Sequence, residues 1–508
     1  MSVTNFTTVS ASQAHSVSNY HRILHFSGQN LRFSRAPEPS AIILPETKHQ
    51  LSSSVICCRR AGLEIRVRCG GHSYEGLSST SDHGASFVII DMMNLNRVIM
   101  ELESETAWPG RARTVGVGGH ISGGGFGFFS RKYGLAADNV LDAVLVDAEG
   151  RLLDRESMGE EVFWAIRGGG GGLWGVVFAW KIKLLKFPPV ITAFIVSRHG
   201  AKRRLAQLLH KWQHVAPYLD DEFYLSVSVS AGFPDGKGDR NGVSATFKGL
   251  FLGGENEAVS LLTGAFPELE TREEDCTEMS WIESVLFFSD LGYGSSIDDL
   301  KIRRPKENLY FKAKSDYVQT PIPVEGFSKI FDILEAEPKG FAIFDPYGGA
   351  MARIHDDAIA FPHRKGNLFN IQYMVSWKEG ENANSEIYGD WIREFYSSMT
   401  PYVSSGPRAA YVNYLDFDLG TVELISNGGS SRDAVERARV WGEKYFLRNY
   451  DRLVRAKTIA DPNNVFRHQQ GIPPLPSNVE ALTEYDWSLD KSCRHSVIWP
   501  SQLKLEKN

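Results

Sequence analysis

The chain has 508 residues, too many for one hydrophobic core, so two or more domains are expected. Hydrophobic residues at 42% and charged residues at 23% give the balance of a globular protein, and a net charge of -6 offers no attraction to nucleic acid or to an anionic membrane. No apolar run approaches the roughly 20 residues that cross a bilayer, so no membrane-spanning helix is expected.

Residues 1–35 are rich in Ser, His and Asn and are expected to be poorly ordered. They lack the basic start and continuous apolar run of a secretory leader, and they hold one glycosylation sequon, Asn5-Phe6-Thr7. A strand is expected over residues 63–69 (LEIRVRC), leading into GGHSYEG, and a second over 87–91 (FVIID). A dense glycine block, TVGVGGHISGGGFG, follows over 114–127. AVLVDAEGRLLDRE reads as a β-hairpin turning at residues 148–150, and GEEVFWAIR as a short helix ended by the five glycines 168–172. In FAWKIKLL, Phe178, Trp180, Ile182 and Leu184 alternate as in a half-buried strand. Residues 188–427 mix both patterns with many aromatics, and form the expected second domain. Ala434, Ala438, Trp441 and Tyr445 then fall on one helical face, and the helix series stops near DPNNVF at Pro462 and Asn463. The fold class is α+β. Five cysteines (Cys57, Cys58, Cys69, Cys276 and Cys493) with no C-x-x-C spacing argue against a disulfide framework or a zinc site.

Glycines gather where the backbone takes positive φ or must approach a ligand closely. Gly70-Gly71 and the 116–127 block expose backbone N–H groups of the kind that cradle a pyrophosphate. The dinucleotide pattern G-x-G-x-x-G is not met, because Ile121 stands where the last glycine belongs, and no P-loop is present. Each glycine block also carries a histidine, His72 and His120, which favours a cofactor over plain turn structure.

RVRCGGHSYEG, TVGVGGHISGGGFGFFSRKYGLAADN, LLDRESMGEEVFWAIRGGGGG, FPHR, YVNYLDFDLG and DPNNVFRHQQGIPP together resemble the plant berberine bridge enzyme-like oxidases of the vanillyl-alcohol oxidase superfamily. The likeness runs in order from about residue 30 to Pro474. It implies a two-domain flavoprotein. Residues 36–187 and 428–475 would form the FAD domain, 188–427 a substrate domain with a large antiparallel sheet, and 476–508 a tail. By the resemblance, FAD bonds through its 8α-methyl carbon to His72. Arg68, Gly70, Gly71, Ser73, Val115, Gly118 and Gly119 would line the cofactor site. His120, Gly123, Gly124, Gly125, Tyr411 and Asn413 would complete it, with His120 in packing or pyrophosphate support. The partners implied are a small-molecule substrate and molecular oxygen, in a monomer of the secretory pathway.

The expected reaction moves a hydride from an alcohol or hemiacetal carbon to flavin N5, with Tyr414 as base. Tyr74 resembles an active-site tyrosine; the other reading of both tyrosines is ordinary packing. A phenol near its reference pKa of about 10 is a poor base at neutral pH and needs a positive field nearby. Relatives supply one with a lysine two residues before a glutamine, where this chain has Asn370 and Gln372. In an extended segment Asn413 and Tyr414 would face opposite ways, so sharing one site requires a bend. Phe126 stands where some relatives have a tyrosine. Val115 matches the position where a small side chain goes with oxidase rather than dehydrogenase behaviour.

The sequence also departs from the family. Ala112 occupies the place of a cysteine that gives relatives a second flavin link. LESETAW runs straight into PGRAR, where relatives carry a further strand and helix of roughly 20 residues. Cys57 matches one half of a family disulfide whose partner is missing. A truncated, non-enzymatic relative is therefore the runner-up to a flavin oxidase, and a dehydrogenase using another electron acceptor is the second enzyme reading.

Overall fold

The computed structural model describes residues 7–9, 38–81, 85–109, 115–233, 242–289, 291, 294–301, 309–422 and 431–476. The expected disorder of residues 1–35, apart from 7–9, lies outside them. So do the Asn5 sequon, Ala112, Cys493 and nearly all of the tail.

Three sheets carry the chain, each built from consecutive strands. The first contains β1 (Thr7–Val9), β2 (Ala41–Leu44), β3 (Glu64–Arg68) and β4 (Phe87–Asp91), in the order β1-β2-β4-β3. β2 and β3 flank β4 in parallel. β4 is buried along its whole length, as expected of a continuous apolar run in the middle of a parallel sheet. The helix Lys48–Arg60 starts at Thr47, whose side chain accepts from the Gln50 N–H at 3.2 Å, and it buries Leu51, Val55 and Cys58.

The second sheet is antiparallel: β5 (Val98–Glu101), β6 (Thr106–Pro109), β7 (Val140–Val146), β8 (Leu152–Leu153) and β9 (Val176–Lys183), in the order β5-β6-β9-β7-β8. The expected hairpin and alternating strand are both present; in β9 Trp180 is buried while Phe178 and Ile182 are partly so. The edge strand β5 is bare. Val98, Ile99 and Met100 are 56%, 55% and 53% exposed, so side chains on both faces of β5 lie open to solvent.

The third sheet has seven antiparallel strands: β10 (Ile191–Gly200), β11 (Phe223–Phe233), β12 (Gly242–Phe251), β13 (Cys276–Met279), β14 (Tyr310–Val318), β15 (Gly340–Pro346) and β16 (Phe369–Trp377). Their order is β13-β10-β12-β11-β15-β16-β14. Helices Lys202–Gln213, Val324–Ala336 and Ser385–Ser398 cover one face. Phe369, Ile371, Tyr373 and Val375 of β16 join the core on that side with Trp212, Phe327 and Phe395. The period of two along a strand puts Asn370, Gln372, Met374 and Ser376 on the other face.

The chain then returns to the first region. Helices Ser431–Phe446 and Tyr450–Ala460 follow, the second packing on helix Arg155–Ile166. Ala438, Trp441 and Tyr445 are buried, as their spacing requires. The turn at DPNNVF is pinned by Lys457, whose ammonium donates to Leu173 O at 2.7 Å and Phe466 O at 2.6 Å and pairs with Asp461 at 2.7 Å. Burial pulls Lys457 down to about 8, against the pull of Asp461. No described helix is long and apolar enough to cross a membrane.

Candidate active site

A cavity of about 750 Å³ lies where the glycine segments, the YVNY segment and the open face of the seven-stranded sheet meet. That is within the usual range for a small-molecule or cofactor site, about 300–1,000 Å³.

One wall is nearly free of side chains. It is made by residues that follow β3 (Cys69, Gly70, Gly71), by Gly118 and Gly119, and by Gly170, Gly171 and Gly172. Gly116 packs behind it at φ 88°, where an added Cβ would lie 2.6 Å from both Cys69 Sγ and Gly70 N. A Cβ on Gly119, by contrast, would meet no protein atom within 4 Å. His72 and Ser73 also face the cavity, and Ser73 Oγ accepts the Leu77 N–H at 3.1 Å, closing the turn that presents His72. His120 lines the cavity too, and burial lowers its pKa, which keeps it neutral at physiological pH.

The other wall is aromatic. Val412–Tyr414 form a 3₁₀ turn, which is the bend needed for Asn413 and Tyr414 to face the cavity together. Tyr411 OH accepts the Phe126 N–H at 3.3 Å and one Asn413 N–H at 3.0 Å, while Asn413 also donates to His120 O at 3.1 Å. Tyr414 stacks on Tyr74 with centroids 5.5 Å apart and planes within 7°. Gln372 donates to Tyr74 OH at 2.7 Å. Burial, reinforced by Tyr74 and Asp345, drives the Tyr414 phenol well above its usual range. The largest causes at Tyr414 all raise it, and none of them is a cation. Tyr74 is raised in the same way, mainly by burial, with Gln372 opposing.

Several expected cofactor or catalytic residues do not line this cavity. Arg68 is fully buried and its Nε pairs with Asp91 at 2.7 Å, so its guanidinium braces β3 to β4. Gly123, Gly124 and Gly125 are packing glycines: added Cβ atoms would strike Asn413, Phe361 and Leu135, or Ala136 and His120. Gln372 acts through Tyr74. Asn370 is buried beside Asp345 of β15, and its Oδ1 has no hydrogen-bond partner. Val115 lines the cavity rim and is 48% exposed.

Sequence reasoning missed other wall residues. Gly170–172 serve the sequence pattern as a helix stop, yet they line the cavity, and a third glycine string beside two others is the signal for that. Phe311, Phe341 and Met374 form an apolar patch from three strands. His468, in the DPNNVFRHQQ segment, faces the Gly171 backbone, and burial first, then Arg66 and Lys457, push it down to about 3.

Three side-chain-free segments around a volume of this size fit a long, phosphate-bearing cofactor, and Gly119 leaves the kind of space such a group fills. A glycine wall set against the open face of an antiparallel sheet fits the two-domain flavoprotein of the vanillyl-alcohol oxidase type that the sequence resemblance implies. Residues 39–108 and 105–155 match a family model described as FAD binding domain, and residues 410–473 one described as berberine and berberine like. The chain is 58% identical to berberine bridge enzyme-like D-2 of Nicotiana tabacum, over 93% of this chain and 90% of that protein. It is 45% identical to reticuline oxidase of Papaver somniferum, over 93% and 90%. The solved structure of berberine bridge enzyme from Eschscholzia californica matches with a TM-score of 0.87 at 45% identity, over 93% and 97%. The chain belongs to the berberine bridge enzyme-like family of FAD-dependent oxidoreductases.

Proposed function

We propose that this protein is an oxidase that holds FAD covalently through His72 and oxidises an alcohol carbon, or a hemiacetal, at the Tyr74–Tyr414 end of the cavity. The observation that carries this reading is convergence: His72, three glycine segments and the Tyr74, Tyr411 and Tyr414 rings border one volume. When bound, FAD supplies the hydride acceptor at N5, and oxygen takes the two electrons on to hydrogen peroxide. The protein's own residues do the rest. His72, presented by the Ser73 turn, would anchor the ring. His120 and His468, held neutral, would offer hydrogen bonds without charge. Tyr414 would take the hydroxyl proton as the carbon gives up its hydride. A phenol raised by burial and by Asp345 would make that step slow at neutral pH.

Phe311, Phe341 and Met374 give the sheet side an apolar surface, which suits an aromatic alcohol better than a polyhydroxylated sugar. Specific observations also support the runner-up, a relative that holds flavin poorly. β5 is bare, and the FAD-domain match breaks into two pieces at residues 105–108, where the family's strand and helix would insert. An open sheet edge of this kind weakens a fold.

The test is the visible spectrum of purified wild type and His72→Ala, each repeated after acid precipitation. Yellow colour that stays with the wild-type precipitate, and is lost or released in His72→Ala, supports the covalent oxidase. Colour released from the wild type sinks the histidyl link. A folded, colourless wild type favours the runner-up.

A further inference from the structure

The Tyr74–Tyr414 stack joins two segments that are far apart in sequence, and each carries an acid close to its tyrosine. Glu75 follows Tyr74, and Asp416 lies two residues after Tyr414. Both carboxylates bind one buried ammonium. Lys312 Nζ donates to Asp416 Oδ1 at 2.7 Å and to Glu75 Oε1, and its side chain is 4% exposed. The same Glu75 oxygen accepts the Phe417 N–H at 3.2 Å, so the two segments are also tied directly.

Lys312 sits on β14, the last strand of the seven-stranded sheet, beside Phe311, which does line the cavity and meets Tyr74 edge-on at 5.3 Å. Lys314, two residues on, pairs with Asp416 and Asp418 at 2.7 Å each, and Arg393 reaches Asp418 at 3.1 Å. Three cations thus link Glu75, Asp416 and Asp418, and Arg393 also pairs with Asp390 at 3.0 Å. Burial alone would pull Lys312 down. Asp416, Glu75 and Asp418 outweigh it and hold the ammonium above the usual lysine range.

Buried charges are costly even when paired, and removing one partner leaves the others uncompensated. A strand edge needs no such cluster for closure, whereas two separate tyrosine segments need a common reference point to stack.

We propose that Lys312 is a positioning residue: by binding Glu75 and Asp416 at once, it sets the Tyr74 and Tyr414 rings face to face at the reactive end of the cavity. This rests on the reading of those tyrosines as the reactive wall, but its test requires neither substrate nor flavin. The chain is labelled with fluorotyrosine, and its 18 tyrosine signals are followed by fluorine NMR. Tyr414→Phe assigns one signal, and Tyr74→Leu shows where that signal lies without the stack. In Lys312→Met the Tyr414 signal should move to, or broaden toward, its position in Tyr74→Leu. The Tyr218 signal, from an exposed ring that does not line the cavity, should stay in place. Lys312→Arg, which keeps the charge, should restore most of the stacked shift. An unmoved Tyr414 signal in folded Lys312→Met overturns the proposal, whatever the melting temperature does. Should Lys312→Met not fold, Glu75→Gln removes the charge while keeping an acceptor for the Phe417 N–H, and the same two outcomes decide. Flavin content, read separately from the visible spectrum, tests the oxidase reading and leaves this one standing or falling by itself.

Discussion

The two walls of the cavity are built by opposite means. On the function proposed above, one wall is the cofactor's and the other the substrate's, and the cofactor wall works through the absence of side chains at Gly70, Gly71, Gly118, Gly119 and Gly170–172. The substrate wall works through side chains that reach one place from distant strands: Phe311, Phe341, Met374, Tyr74 and Tyr414. The first therefore tolerates almost nothing added, while the second can be retuned one side chain at a time.

The largest expected effect comes from adding bulk to the first wall without straining it. Gly119 has ordinary φ, and a Cβ there meets no protein atom. Gly119→Leu should fold with a melting temperature close to wild type and yet lose its flavin, as read by absorbance per protein. Retention of full flavin with an unchanged spectrum would mean that Gly119 does not border the cofactor.

The substrate wall should respond in rate rather than in cofactor content. Tyr414→Phe removes only a hydroxyl and keeps the ring stacked on Tyr74. Loss of a general base typically costs about 10²–10⁴-fold in rate. Flavin content should be unchanged, while anaerobic bleaching of the flavin by the fastest-reacting aromatic alcohol should slow by about that factor. A rate within a few-fold of wild type would move the base elsewhere.

This division also explains what the sequence disclosed. Glycine strings, a histidine after a strand and a period-two pattern are local signals. They foretell β3, β4 and β9 and a turn that brings His72 to the cavity, because turn and strand chemistry act over a few residues. Asn413 and Tyr414 needed a bend that the local pattern does not announce; the 3₁₀ turn supplies it. Arg68 looked like a cofactor contact, but its role depends on Asp91, a partner on another strand. In YFKAKSDYV, alternation distinguishes two faces without saying which one meets the cavity and which meets buried acids. Lys312 and Lys314 fall on one of those faces, and their partners Asp416 and Asp418 come from the distant 411–422 segment. Gly123–125 sat in the right motif but pack against side chains brought in from elsewhere.

The smallest expected effect sharpens the comparison most, because it adds a charge to the substrate wall and leaves the glycine wall alone. Asn370 lies opposite Asp345 across β15 and β16, with its own Oδ1 unpaired. Asp345 is hydrogen-bonded by Tyr224, and burial raises it to about 6, against smaller opposing effects of Tyr224 and Lys248. Its negative charge in turn raises both Tyr74 and Tyr414. Asn370→Lys would set an ammonium against that carboxylate and cancel its field at Tyr414. The phenol pKa should fall, so more phenolate is present at a given pH, and the rising limb of the rate profile should move to lower pH. A shift of about one unit corresponds to about 1.4 kcal/mol, or roughly tenfold in rate at neutral pH. Stability offers a second readout with a definite sign. In the wild type the folded pKa of Asp345 lies above its unfolded value of about 3.9. The stabilisation tied to its protonated form is therefore present below about pH 4 and is lost as pH rises through about 6. With a lysine beside it, the folded pKa of Asp345 should drop and that loss should shrink. An unchanged rate profile together with an altered stability profile would show that Asp345 and residue 370 interact without reaching Tyr414. The base would then have to be activated by the bound cofactor and not by the sheet.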